Sequence, residues 1–164
     1  PKGFIAPNWS TSREVMQTLL RLGYTYDTSV FPSVFMYALV VKSYLSHIGN
    51  KEKRRKVLER RDWELPMVSP REPYFVDGMF RRYRTPAEGR LLMMPLPARG
   101  RFRVPCWHTA GFFFGWDRLY RNVEHLSRER QGFYYLIHPA DFLAPEELSP
   151  AHQPHLERMD VPVA

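Results

Sequence analysis

Residues 11–29 decide the fold class, and they read Thr-Ser-Arg-Glu-Val-Met-Gln-Thr-Leu-Leu-Arg-Leu-Gly-Tyr-Thr-Tyr-Asp-Thr-Ser. Thr11 and Glu14 have the spacing of a capping box, so a helix is predicted to begin there. Gly23 follows the apolar face in the position that usually ends a helix. That face recurs at helical spacing in Val15, Met16, Leu19, Leu20 and Leu22. Residues 24–27 then predict a strand, and this αβ unit predicts a parallel sheet or barrel.

The composition of the 164 residues indicates one folded domain. The chain is 44% hydrophobic and 15% aromatic, which excludes disorder. Its net charge of +7 favours anionic partners such as lipid headgroups, acidic glycans or nucleic acid. Cys106 is the single cysteine and leaves the redox compartment undetermined. We expect a domain over residues 1–148 and a loosely ordered tail over 149–164.

An apolar helix beside a basic run is predicted in the middle of the chain. Val34 to Ile48 predicts a helix whose first half is apolar on every side. The run is shorter than the roughly 20 residues that span a bilayer, so core burial and interfacial membrane contact are the two interpretations. Residues 51–61 are strongly basic, which indicates a solvated helix face or docking on an anionic membrane surface.

The second half of the chain alternates predicted strands and a helix. Leu91 to Pro95 predicts a buried strand that proline stops, and residues 101–107 predict another strand. Asp117 is a plausible N-cap for a helix through about Glu129, and residues 133–138 form the clearest predicted strand. Residues 66–90 are rich in Pro, Arg and Gly and predict an irregular excursion.

Reactive side chains follow three predicted strands, at residues 5–10, 27–29 and 138–141. Barrel enzymes of the α/β class build their sites at the carboxyl ends of strands. Each place alone has an ordinary alternative, since a histidine at a strand end often serves only as a hydrogen-bonding group. Asp27 fits a turn or a helix cap equally well.

Two segments together resemble the polysaccharide deacetylase (NodB-homology) family. Gly3-Phe4-Ile5-Ala6-Pro7 resembles its Gly-Phe-Arg-Ala-Pro loop, and residues 23–29 resemble its Gly-Tyr-x-Tyr-Asp-Ser-Ser strand. Residues 135–138, Tyr-Leu-Ile-His, resemble its closing strand that ends in histidine. The likeness covers residues 3–33 and 133–142 well, and only the general pattern between them.

The resemblance implies the C-terminal part of a distorted (β/α) barrel with parallel strands. It also implies a hydrolase that removes N-acetyl or related acyl groups from amino sugars of a cell-surface glycan. A divalent metal, commonly zinc, would polarise the amide carbonyl in such an enzyme. His138 would be the general acid for the leaving amine, and Asp27 a strand-end carboxylate that orients the histidine or holds its loop. His138 is expected on the same rim as the loops around residues 7 and 27.

Further residues are candidates for contact with the substrate, although each has a structural alternative. They are Pro7, Asn8, Trp9, His108 and Asp141. His108 also fits a hydrogen-bonded loop position. Three tryptophans are candidates for stacking on sugar rings, or else belong to the core: Trp9, Trp107 and Trp116. Cys106 has no adjacent base in the sequence and is not proposed as a nucleophile.

The sequence departs from the family pattern in two places. It contains no Asp-Asp pair and no His-x-x-x-His, so the metal ligands and the base are expected from an upstream segment. His152 and His155 flank Pro154 and make a poor metal pair. Ile5 stands where the family usually has arginine, which would hold the base carboxylate.

A second function remains open, namely a catalytically silent protein of the same fold that binds a glycan or a membrane surface. Nucleic-acid binding ranks last, because the basic residues are scattered and no recognised module is present. The sequence shows no signal peptide and no membrane span, and it leaves the compartment and the oligomeric state undetermined.

Overall fold

A computed structural model describes residues 2–9, 11–59, 69–129, 133–138 and 142 of the chain. Two compact units are present, Pro1–Pro105 and Cys106–Ala164. The predicted tail over residues 149–164 lies outside the described residues. No described helix is both long enough and apolar enough to cross a bilayer.

The first unit contains three α-helices, seven short strands and one 3-10 turn among its described residues. The helices are α1 (Arg13–Arg21), α2 (Phe35–Ser46) and α3 (Lys51–Glu59), and the 3-10 turn is Pro7–Trp9. The strands are β1 (Gly3–Phe4), β2 (Tyr26–Asp27), β3 (Tyr74–Val76), β4 (Arg82–Tyr83), β5 (Leu91–Met93), β6 (Ala98–Arg99) and β7 (Val104–Pro105).

Five strands form a mixed sheet in the order β1-β2-β5-β3-β4. The first three are parallel, with Phe4 opposite Asp27 and Asp27 opposite Met93. β3 is antiparallel to both β5 and β4. The α/β class is therefore confirmed, and the expected parallel pairing holds for three of the five strands. The sheet is open in the described part of the chain, and a barrel stays a prediction.

Helix α1 is defined by its two ends. Ser12 is the N-cap, and its hydroxyl oxygen accepts the backbone N–H of Val15 at 3.3 Å. The predicted cap at Thr11 is therefore wrong by one residue, because the chain is still extended at Ser12. Gly23 adopts φ of 75°, and the N–H groups of Gly23 and Tyr24 bond to the carbonyls of Leu20 and Leu19. This is a Schellman ending, as the glycine predicts.

The core of the first unit lies between α1 and the sheet. Its buried members come from the helix, the loop after β2 and strands β3 and β5: Met16, Leu19, Val30, Tyr74, Val76, Leu91 and Met93. Burying each of the larger aliphatic side chains contributes about 1.5–3 kcal/mol. The predicted strand over Leu91 to Pro95 is confirmed as β5, whose Leu91 and Met93 are fully buried.

The predicted irregular excursion over residues 66–90 is wrong where β3 and β4 form a hairpin. Asp77 organises its turn, since one carboxylate oxygen accepts the N–H groups of Met79 and Arg81 at 2.9 and 3.0 Å. The other oxygen accepts the Tyr83 hydroxyl at 2.9 Å. Although partial burial raises the pKa of Asp77, these hydrogen bonds and the Arg81 charge together lower it. The stretch is regular because it pairs with the distant strand β5.

The second unit contains α4 (Ala110–Phe114) and α5 (Trp116–Glu129) among its described residues. Leu119 and Leu126 are buried beside Cys106, which confirms the predicted amphipathic helix. The predicted strand at residues 133–138 is wrong, because no strand pairs with it in the described part of this unit. The carbonyl of Leu136 instead accepts the N–H of His108 at 3.0 Å.

Candidate functional site

The loops that follow β1 and β2 meet at one edge of the sheet. Because the two strands are parallel and adjacent, their carboxyl ends lie side by side. The backbone N–H of Thr28 donates to the carbonyl of Phe4 at 2.9 Å, and the Thr28 hydroxyl approaches the same oxygen at 3.3 Å. Both motif segments of the first unit are therefore held together where a barrel enzyme would place its site.

A buried carboxylate connects these two loops. Asp27 is fully buried, and its two oxygens accept the backbone N–H of Ser29 at 2.6 Å and the Ser29 hydroxyl at 3.0 Å. The same hydroxyl oxygen accepts the backbone N–H of Ala6 at 2.8 Å. The hydrogen bonds thus run from the Asp27 carboxylate through Ser29 to the backbone of the loop after β1. We call these three residues the Asp27–Ser29–Ala6 network.

The environment of Asp27 favours its neutral form. Burial raises the pKa of this carboxyl above its ordinary value, and the two hydrogen bonds from Ser29 offset part of that rise. The side chain has no exposed surface, so its contacts are those that hold a loop. Ser29 ends the segment 27–29 selected in the sequence, but no role is predicted for it there, although an Asp-x-Ser spacing is typical of a local side-chain turn.

The loop after β1 carries the next three predicted residues. Pro7 is exposed, and the 3-10 turn Pro7–Trp9 is closed by the Trp9 N–H bonding to the Ala6 carbonyl at 3.1 Å. Trp9 adopts φ of 52°, and its ring lies 4.8 Å from that of Phe31. Asn8 lies within the turn. Ile5 is 45% exposed, so it occupies the usual arginine position without being buried.

In the second unit, His108 lies among aromatic rings. Its ring centroid is 4.8 Å from Trp116, 6.0 Å from Phe112 and 6.2 Å from Tyr135. Phe142 lies 5.8 Å away, and the Tyr135 hydroxyl approaches His108 Nδ1 at 3.5 Å. We call these five residues the His108 cluster.

His138 is exposed, and it follows the cluster member Tyr135 by three residues in the chain. Its Nδ1 is 3.4 Å from the hydroxyl of Thr109, the residue that follows His108. The backbone bond between His108 and Leu136 brings the two segments together. The structure thus groups two predicted site histidines, with Thr109 and Tyr135 as members that sequence reasoning missed. The predicted residue Asp141 lies outside the described residues.

Gly111 allows Trp116 to take its place in the cluster. A Cβ atom on Gly111 would lie 2.5 Å from carbons of the Trp116 ring, so the indole packs directly on the backbone of α4. Tyr120, which is 59% exposed, extends the aromatic surface with its ring 5.9 Å from that of Trp116. Phe142 of the cluster and the neighbouring Tyr120 are therefore exposed aromatic side chains in the same unit as the exposed imidazole of His138.

The described residues do not fit the zinc ion that the resemblance implies. Zinc sites need three or four close His, Cys, Asp or Glu ligands. No group of three such side chains occurs within the part of the chain that the structure describes. His152 and His155 lie outside that part. We therefore assign no chemical step to a metal ion bound by the described residues.

Comparison with known protein families, with curated proteins and with solved structures finds no significant match to this chain.

Proposed function

We propose that this protein hydrolyses N-acyl groups of amino sugars, as a barrel of the polysaccharide deacetylase type. The observation that supports the proposal is the Asp27–Ser29–Ala6 network. It joins the two motif loops at the carboxyl ends of neighbouring parallel strands, and it gives the strand-end aspartate a defined positioning task. The residues of the first two motifs are thus grouped by the fold and not only by the sequence.

His138 is the proposed general acid. When water adds to an amide carbonyl, the C–N bond of the tetrahedral intermediate breaks readily only if the nitrogen receives a proton. An exposed imidazole can supply that proton and regain one from solvent. In this proposal the 3.4 Å contact of Nδ1 with the Thr109 hydroxyl orients the ring, and Nε2 is the nitrogen that protonates the leaving amine.

The His108 cluster is the proposed surface for the sugar ring. The ring planes of Trp116 and of the neighbouring, exposed Tyr120 lie 31° from parallel, and the apolar face of an aromatic ring suits the apolar face of a pyranose. His108 adds a polar nitrogen close to them. The proposal keeps a divalent metal, commonly zinc, as an expectation of the resemblance, and it assigns none of the described residues to that metal.

The proposal is tested with the full-length protein, an oligomer of N-acetylglucosamine and an assay of released acetate with added zinc. We expect His138→Gln to lower kcat by about 10²–10⁴ while leaving KM unchanged, because a general acid acts in the transition state. His125→Gln is the matched control, since His125 lies in the same unit and pairs with Glu129 outside the cluster. Wild-type turnover by the His138→Gln variant would contradict the assignment.

A second candidate is a sugar-binding protein without catalysis, and the His108 cluster favours it independently of any hydrolysis. If the full-length protein binds the oligomer and releases no acetate, this candidate replaces the first. Trp116→Ala should then weaken binding at least about fivefold as measured by calorimetry, since loss of a stacked aromatic side chain costs more than about 1 kcal/mol.

A further inference from the structure

Helix α2 exposes an apolar stripe that its role in the core does not explain. Val41, Leu45 and Ile48 are 56%, 53% and 72% exposed. Their spacing of four and three residues places them on one side of the helix and of the turn that follows it. Met36, by contrast, is buried, so α2 is apolar on its core side and also on its outer side.

The stripe borders a shallow surface groove. The groove is lined by one side of α2: Tyr37, Ala38, Val41, Lys42, Leu45 and Ser46. Contiguous exposed apolar surface on a folded protein usually marks a place where something binds.

The next helix, α3, carries the positive charge. Its sequence Lys-Glu-Lys-Arg-Arg-Lys-Val-Leu-Glu has five basic and two acidic residues. Lys51 and Lys53 are exposed in its first turn. Asn50 caps the helix by accepting the backbone N–H of Lys53 at 3.0 Å. The basic residues are therefore presented by a well-formed helix directly after the apolar stripe.

The two helices are held together by a specific contact. Arg54 of α3 hydrogen-bonds to the Tyr44 hydroxyl of α2, and its guanidinium lies 4.1 Å from the centre of the same ring. This combination of hydrogen bond and cation–π contact fixes α3 against α2. The apolar stripe and the basic first turn of α3 are therefore held in a fixed relation to each other, and we call the two together the α2–α3 surface.

We propose that this α2–α3 surface docks on an anionic lipid bilayer. Val41, Leu45 and Ile48 would enter the boundary between headgroups and acyl chains, and the lysines would contact lipid phosphates. Charge complementarity selects this occupant, because a second copy of the chain would bring like charges together. The inference is independent of the proposed hydrolase activity.

The test is co-sedimentation of the full-length protein with two kinds of vesicle, phosphatidylcholine alone and an equal mixture with phosphatidylglycerol. We expect binding to the anionic vesicles only, with loss of binding near 1 M salt, where the Debye length is about 3 Å. Lys51→Glu with Lys53→Glu should lower the partition coefficient about 25-fold or more, since each near-surface basic residue contributes about fivefold. Val41→Gln with Leu45→Gln should lower it about tenfold.

Two matched control variants change basic and apolar side chains outside the α2–α3 surface. Arg13→Glu with Arg118→Glu reverses two exposed charges in the first turns of α1 and α5. Phe102→Gln with Phe113→Gln removes two apolar side chains that are 66% and 60% exposed. Both controls should bind as the wild type does. Equal loss in the controls, salt-insensitive binding or absence of binding would overturn the proposal. It would also be overturned if the α2 variant turned a dimer into a monomer in sedimentation velocity.

Discussion

Ser29 donates both its backbone N–H and its hydroxyl to the carboxylate of Asp27, at 2.6 and 3.0 Å. The same serine accepts the N–H of Ala6 at 2.8 Å, and all three groups are buried. One carboxylate therefore organises two loops that are more than twenty residues apart in sequence. The geometry makes Asp27 a residue that holds two loops in place. Its removal should therefore lower the free energy of unfolding.

Asp27→Ala should lower the free energy of unfolding by about 2–4 kcal/mol, because two buried donors of Ser29 lose their acceptor. Chemical denaturation of the full-length protein measures the change. Asp117→Ala is the control, since Asp117 is an exposed carboxylate in the first turn of α5, where its effect should stay below about 1 kcal/mol. Equal effects of the two substitutions would contradict a supporting role for Asp27.

The raised pKa of Asp27 predicts a pH dependence of defined sign. The folded protein binds this proton more tightly than the unfolded chain, whose pKa is near the ordinary value of 3.8. Stability relative to an Asp27→Asn variant should therefore fall as the pH rises from 3.8 through the folded pKa. The lowered pKa values of Glu14 and Asp77 act alike in both proteins and cancel in the difference. Chemical unfolding of both proteins across this pH range measures the difference in their free energies of unfolding. If that difference rises with pH or stays constant, the pKa of Asp27 is not raised in the folded protein.

Two neighbouring substitutions decide which residue caps α1. Ser12→Ala should cost about 1 kcal/mol, because the N–H of Val15 loses its acceptor. Thr11→Val should be neutral or stabilising, since the buried Thr11 hydroxyl has no hydrogen-bond partner in the described structure. Thermal unfolding of both variants makes the comparison. A larger loss for Thr11→Val would restore the capping box predicted from the sequence.

Gly111→Ala should destabilise the second unit by about 1–3 kcal/mol, because the added methyl group would overlap the Trp116 ring. In near-ultraviolet circular dichroism, the signal of the packed Trp116 indole should be lost at a lower denaturant concentration in this variant than in the wild type. Gly78→Ala is the matched control, as its added Cβ would meet only Gln17 and Leu20 at 3.4 and 3.8 Å. Unchanged tryptophan signals in the Gly111→Ala variant would show that the indole does not depend on this glycine.

Local pattern predicted the elements whose stabilising contacts are close in sequence. Helix α1 ends at Gly23 as expected, because a Schellman ending involves only the last turn and the two residues after it. Helix α5 follows from its apolar face, with Leu119 and Leu126 buried. Strand β2 and the parallel pairing beside it follow from the αβ unit that starts at Ser12.

The misses arose where a distant partner decides the conformation. Residues 74–83 form a hairpin because β3 also pairs with β5, whose partner residues come 15 to 19 positions later in the chain. Phe133 to His138 has strong strand composition and yet is not a strand, since composition cannot supply a neighbouring backbone to pair with. The grouping of His108 with His138 through Thr109 was missed for the same reason.

By itself, the sequence determined the α/β class, the C-terminal end of α1, the apolar face of α5 and the buried residues of α1 and β5, since helical and strand periodicities are short-range properties of the chain. Tertiary structure alone decided that Asp27 is buried and linked through Ser29 to Ala6, that β3 and β4 extend the sheet and that aromatic rings surround His108. Those outcomes depend on which distant backbone and side chains exclude water from a group, and no local pattern encodes that exclusion.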